Sequence, residues 1–192
     1  MPQNRHKTSG TGRALRTAQF PVVGIGASAG GLEALSELLS NLSPDSGMAF
    51  VVISHMHPGH PSMLAALLAK KARMPVRQAT RGTVLQPDHI YVIQPNKYLT
   101  LRNGVLHTSP RSDAHRLPTV IDHFFGSLAN DRRANARGVV LSGLGSDGTA
   151  GLKLIHERGG RTFAQEPRTA LFDGMPASAI HARCIDFVLP PK

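Results

Sequence analysis

The sequence predicts an α/β fold: three layers, with a doubly wound, mostly parallel sheet, helices on both faces, and a β-hairpin excursion near residues 97–108. Three observations predict it. Apolar runs alternate with amphipathic stretches of helical period along most of the chain. Several of those runs are uniformly apolar, which suits strands covered on both faces. The breaks that follow them are rich in glycine and polar residues, as strand-to-helix turns are.

Phe20–Ile25 reads as the first strand. Glycines and then a helix over Gly31–Leu42 follow, with Leu32, Leu35, Leu38, Leu39 and Leu42 on one face. Ala49–Ser54 is a second strand, and Pro61–Lys71 a helix. Residues 75–108 offer short strands instead, with Asn103-Gly104 as a hairpin turn between Tyr98–Leu101 and Val105–Thr108. Helix Pro118–Asn130, strand Gly138–Ser142 and helix Gly148–Arg158 come next, and Gly159-Gly160 stops that helix. Strand Arg161–Gln165, helix Pro176–Ala182 and strand Ile185–Leu189 complete the pattern. Right-handed crossovers place every strand-to-helix loop at one sheet edge, where ligands bind in such folds.

Composition narrows the class. The 192 residues suit one domain, and at 41% hydrophobic the chain can bury a core. Aromatics are 5% and Trp is absent, so aliphatic side chains must fill most of it. Cys184 is the single cysteine, which excludes an internal disulfide and agrees with a cytoplasmic location. No apolar run approaches ~20 residues, so no membrane insertion is expected. Residues 1–18 are basic, with Arg5, Lys7, Arg13 and Arg16, lack a hydrophobic period, and read as a disordered arm before a domain over 19–192.

The formal charge is +10. Ser46 to Pro87 contains no Asp or Glu but carries Lys70, Lys71, Arg73, Arg77 and Arg81. Because this stretch includes a candidate site loop, its basic side chains are expected to flank the site mouth and attract an acidic protein partner. The plainer reading is a solvated surface. No aromatic RNA-binding signature or zinc-finger spacing is present, so no nucleic-acid partner is expected.

Three loops at the expected edge carry chemistry. Gly26-Ala27-Ser28-Ala29-Gly30 is a GxSxG motif between a strand and a helix, which would expose the Ser28 hydroxyl beside a helix N-terminus. Gly24, Gly26 and Ala29 also fit a dinucleotide fingerprint, but that needs an acid at the end of the next strand. Ser54-His55-Met56-His57 has none, so no nucleotide cofactor is expected. His55 ends that strand and can take a proton from Ser28. His55, His57 and His60 space as HxHxxH, yet Gly59 stands where a metal site would need an acid, and no metal is expected. Asp147, among glycines before a helix, suits either an N-cap or the acid that orients a histidine. Together Ser28, His55 and Asp147 suit nucleophilic cleavage of a carboxylic ester. Backbone N–H groups at Ala29 and Leu144 are the candidate oxyanion donors.

These motifs resemble one family, the catalytic domain of the chemotaxis protein-glutamate methylesterase CheB. The resemblance runs from about Pro21 to Pro190. It rests on GASAGG at 26–31, SHMHPGH at 54–60, SGLGSDG at 142–148, the Gly-Gly…Ala-Gln run at 159–165 and Gly-Met-Pro at 174–176. It implies a triad of Ser28, His55 and Asp147, no cofactor, and hydrolysis of glutamate methyl esters on chemoreceptors, with glutamine deamidation as a second reaction. Ala29 replaces the threonine common after the serine, and SHMH stands where QHMP is usual. GASAGGLEAL is closer to stand-alone or methyltransferase-fused relatives that lack a receiver domain. The implied partners are a methylated chemoreceptor or related signalling protein, with a receiver domain or methyltransferase acting in trans. The alternative is a catalytically idle docking module of a signalling complex.

Overall fold

The computed structural model describes residues 20–55, 63–111 and 119–192. The expected basic arm over 1–18, His57 and His60 lie outside them.

A parallel sheet of seven strands organises these residues, in the order β3-β4-β2-β1-β7-β8-β9. Its strands are β1 Val22–Ala27, β2 Ala49–Ser54, β3 Val76–Gln78, β4 His89–Val92, β7 Ala136–Val140, β8 Arg161–Gln165 and β9 Phe187–Leu189. Helices α1 Gly31–Asn41, α2 Leu64–Ala69, α3 Val120–Arg132, α4 Thr149–Glu157 and α5 Gly174–His181 cover it. The antiparallel hairpin β5 Lys97–Arg102 and β6 Val105–Pro110 stands apart from the sheet. Asn103 and Gly104 link its strands with φ of 50° and 74°, a two-residue turn that needs both residues left-handed.

Alternation along the strands builds two cores. Val23, Ile25, Phe50, Val52, Ile90 and Val92 pack beneath α1 on one face. Val22, Val51, Ile53 and Tyr91 face the other way, towards α3, α4, α5 and the hairpin. Period-two alternation with apolar residues at both phases is why these strands read as uniform runs. Leu35 and Leu39 of α1 are buried as the leucine stripe predicts, but Leu32 is exposed at the helix start.

Element boundaries differ by a few residues from those the sequence predicts. Strand β7 begins at Ala136 and ends at Val140. Leu141 N–H still bonds Gly26 O of β1, but Ser142 and Gly143 leave the ladder because their backbone groups bond Ser28, Phe172 and Met175 instead. Gly159 ends α4 with φ of 80°; its N–H bonds His156 O, and Gly160 N–H bonds Ile155 O at 2.9 Å. That paired arrangement satisfies the last carbonyls of the helix.

Three of the five cations in the basic stretch do not sit where the sequence suggested. Strand β2 ends beside the site, and α2 then returns the chain to the opposite edge. Lys70, Lys71 and Arg73 come just before β3, whose Val76 is level with Ile90, Phe50 and Val23 near the strand beginnings. Ser28 lies beyond the far end of β1, about five residues or ~16 Å along the strand direction. These three side chains are exposed at the wrong edge to flank the site. The crossover geometry, invisible in composition, causes this.

Candidate active site

Strands β1 and β2 run side by side in register, pairing Ala27 with Ser54. That pairing brings the next residues, Ser28 and His55, to one place at the carboxyl edge. Ser28 Oγ lies 3.0 Å from His55 Nδ1. On the other side of the ring, His55 Nε2 lies 2.8 Å from Asp147 Oδ2. The expected serine, histidine and aspartate therefore form one hydrogen-bonded line. The carboxylate accepts from Nε2–H, which leaves the Nδ1 lone pair facing the serine hydroxyl.

The turn at Ser28 is tight without straining the serine. Gly31 N–H bonds Ser28 O at 2.9 Å, and Gly30 takes the left-handed conformation at φ 67°. A side chain at Gly30 would also meet Leu171 Cβ at 2.8 Å. Gly143 allows the second loop to close on the first. A Cβ there would fall 2.9 Å from Ser28 Cβ and 2.2 Å from Met175 Sδ.

Asp147 faces His55 and also caps a helix, but not the helix it precedes. It precedes α4 and makes no side-chain cap there; Gly148 holds that position. Instead it caps the neighbouring helix, α3. Its Oδ2 accepts from Ile121 N–H at 3.1 Å and its Oδ1 from Asp122 N–H at 2.9 Å. Two fixed backbone donors at the start of α3 hold the carboxylate in place beside His55.

Three side chains that hold the site escape a reading of the sequence. Ser142 is buried; its Oγ donates to Ala29 O at 2.9 Å and accepts from Phe172 N–H at 3.0 Å. Its carbonyl takes Ser28 N–H at 2.9 Å. Buried Gln165 accepts from Ser142 N–H at 2.9 Å and donates to Thr169 O at 3.0 Å. Asp122 accepts from Gly151 N–H at 2.7 Å. The motifs around Ser142 and Gln165 are visible, but a polar residue in a loop gives no signal of whom it bonds. Asp122 has a faint one, an acid in the first turn of a helix.

The oxyanion candidates differ from the neighbouring amides. Ser28 N–H is committed to Ser142 O, and Gly143 N–H to Phe172 O at 2.9 Å. Among the described residues, the N–H groups of Ala29 and Leu144 have no such acceptor. Leu144, Leu171 and Phe172 are exposed apolar side chains on the loops that border Ser28.

A serine, a histidine and an aspartate aligned at the carboxyl edge of a parallel α/β sheet are the arrangement of a nucleophilic hydrolase. The family model described as CheB methylesterase matches residues 23–192, and the chain belongs to that family. It is 34% identical over 175 residues to protein-glutamate methylesterase/protein-glutamine glutaminase 2 of Anaeromyxobacter dehalogenans, covering 91% of this chain and 51% of that one. It is 36% identical over 185 residues to the protein-glutamate methylesterase/protein-glutamine glutaminase of Geobacillus kaustophilus, covering 93% and 52%. The chain thus spans about half the length of these curated relatives. The crystal structure of the Thermotoga maritima CheB methylesterase catalytic domain superimposes with a TM-score of 0.81 at 30% identity, covering 90% of this chain and 93% of that one.

Proposed function

We propose that the chain is a serine hydrolase that removes methyl esters from glutamate side chains of a signalling protein, with a chemoreceptor as the substrate class. The observation that carries this reading is the line from Ser28 Oγ through His55 to Asp147, with contacts of 3.0 and 2.8 Å. Relatives named protein-glutamate methylesterase support the choice of ester.

His55 Nδ1 takes the hydroxyl proton as Ser28 Oγ bonds to the ester carbonyl carbon. Asp147 stabilises the imidazolium that results. The carbonyl oxygen becomes an oxyanion, for which Ala29 and Leu144 N–H are the proposed donors; one such donor is worth ~3 kcal/mol in other hydrolases. The C–O bond to the methoxy group then breaks, and His55 returns the proton to release methanol. Water, deprotonated by His55, adds to the acyl carbon; the bond from that carbon to Ser28 Oγ then breaks, and His55 returns the proton to Oγ, freeing glutamate and restoring Ser28. Every proton in this cycle passes between Ser28, His55 and a reactant.

A glutamine substrate would follow the same path with ammonia leaving. The domain assignment over 19–192, a receiver domain or methyltransferase acting in trans, and a cytoplasmic location belong to the same proposal. No helix among the described residues is long and apolar enough to cross a membrane.

The competing reading is a docking module without activity. A fluorophosphonate probe and a glutamate methyl-ester peptide distinguish them. Labelling at Ser28 together with methanol release is expected. A wild-type chain that neither labels nor releases methanol rejects the hydrolase reading.

A further inference from the structure

Helices α3 and α4 begin side by side, and neither caps itself. Thr119 precedes α3 and Gly148 precedes α4, and neither makes a side-chain cap. The caps are exchanged instead. Asp147, from the loop before α4, holds Ile121 and Asp122 N–H of α3. Asp122, from the first turn of α3, holds Gly151 N–H of α4 at 2.7 Å. Gly151 permits the approach, since a Cβ there would lie 2.4 Å from Phe125 Cβ. The two carboxylates therefore close a ring of hydrogen bonds through two helix starts, and one of them also accepts from His55.

We propose that Asp122 is a positioning residue for the reaction: by capping α4 it anchors the loop that carries Asp147, and so keeps Asp147 Oδ2 on His55 Nε2. This deepens the hydrolase reading and rests on it. Asp122 has no chemical step of its own; its effect passes through the position of Asp147. The acceptor oxygen is what matters, because the partner is a backbone N–H. The negative charge of Asp122 faces Asp147 across the ring and adds nothing to the geometry. Asparagine at this position can retain the acceptor; alanine cannot, and glutamate carries its oxygens one methylene too far.

The test compares Asp122→Asn, Asp122→Ala and Asp122→Glu in the full chain. It reads kcat and KM on a glutamate methyl-ester peptide, and fluorophosphonate labelling of Ser28 against pH. Asp122→Ala is expected to lower kcat about 10- to 100-fold with KM little changed. Its acid limb of labelling should move to lower pH, because His55 loses the carboxylate that favours its protonated form. Asp122→Asn should retain most of the rate. Should Asp122→Ala fail to fold, the order of the other two decides. Asn above Glu supports the proposal, and Glu equal to or above Asn overturns it. Unchanged kcat and acid limb in a folded Asp122→Ala also overturn it. The wild-type chain must label at Ser28 first; failure there strikes the hydrolase reading and not the role of Asp122.

Discussion

Ser28 and His55 are expected to act as one unit. Ser28→Ala and His55→Ala should each lower ester hydrolysis on the order of 10⁴-fold or more with the fold intact, and the double mutant should lose little beyond either. Steady-state rates with circular dichroism check this; additive losses would count against a coupled triad. Asp147→Asn differs, because both carboxylate oxygens accept backbone N–H groups. An asparagine must turn its NH2 towards one of those donors or towards His55. We therefore expect it to lower stability by about 0.5–2 kcal/mol, the usual cost of a lost cap, as well as the rate. Urea unfolding measures the first effect and methanol release the second. Asp122 adds a pH dependence. Burial, opposed by the Gly151 N–H and reinforced by the Asp147 charge, raises its pKa above the ordinary aspartate value of 3.8. A raised carboxylate means that the folded state binds the proton more readily. Stability is then lost as pH rises from the unfolded pKa through the folded one. Asp122→Asn removes that loss, so its stability relative to wild type should improve as pH rises from below ~3.8 towards neutrality. Thermal melts across this range would show it, and a constant difference would refute it.

Between secondary-structure elements, the close contact of β1 with α3 matters most. Gly26 faces Ile121, and a Cβ there would lie 2.5 Å from Ile121 Cγ2. Ile121 is also one of the two N–H donors to Asp147. Gly26→Ala should therefore push the start of α3 outward. Overpacking of this kind costs about 1–3 kcal/mol, and the displaced cap should lower the hydrolytic rate as well. Paired measurements of urea midpoint and kcat test the link; a stability loss with full activity would show that Asp147 stays in place. The glycines of GASAGG thus have different tasks. Gly26 makes room for a helix, and Gly30 turns the chain.

Across the entire fold, the edge on which a charge sits governs what it can influence. Lys70, Lys71 and Arg73 stand towards the strand beginnings, more than a screening length of ~8–10 Å from Ser28. Reversing these three charges should leave hydrolysis of a small ester and of an intact methylated protein at wild-type rates at physiological ionic strength. Slower turnover of the protein substrate alone would show that the partner reaches around to that edge. Arg81, which follows β3 at its carboxyl end, is the member of the basic stretch on the side of the site.

Local pattern alone is enough for the α/β class, for the hairpin turn at Asn103-Gly104 and for the choice of Ser28, His55 and Asp147 as candidates. These are legible because strand and helix periods, turn residues and strand-end motifs are short-range features of the chain. Two short strands, β3 and β4, carry no such signal for joining the main sheet, since a run of three or four residues has no period. Asp147 reads as a cap or a triad acid, and only the folded chain shows it capping a different helix while facing His55. Asp122, Ser142 and Gln165 gain their roles the same way, from partners more than twenty residues away. Long-range packing settles these because a hydrogen-bond acceptor in a loop does not specify its donor. Crossover direction alone brings those groups to the same edge and sends Lys70, Lys71 and Arg73 to the other.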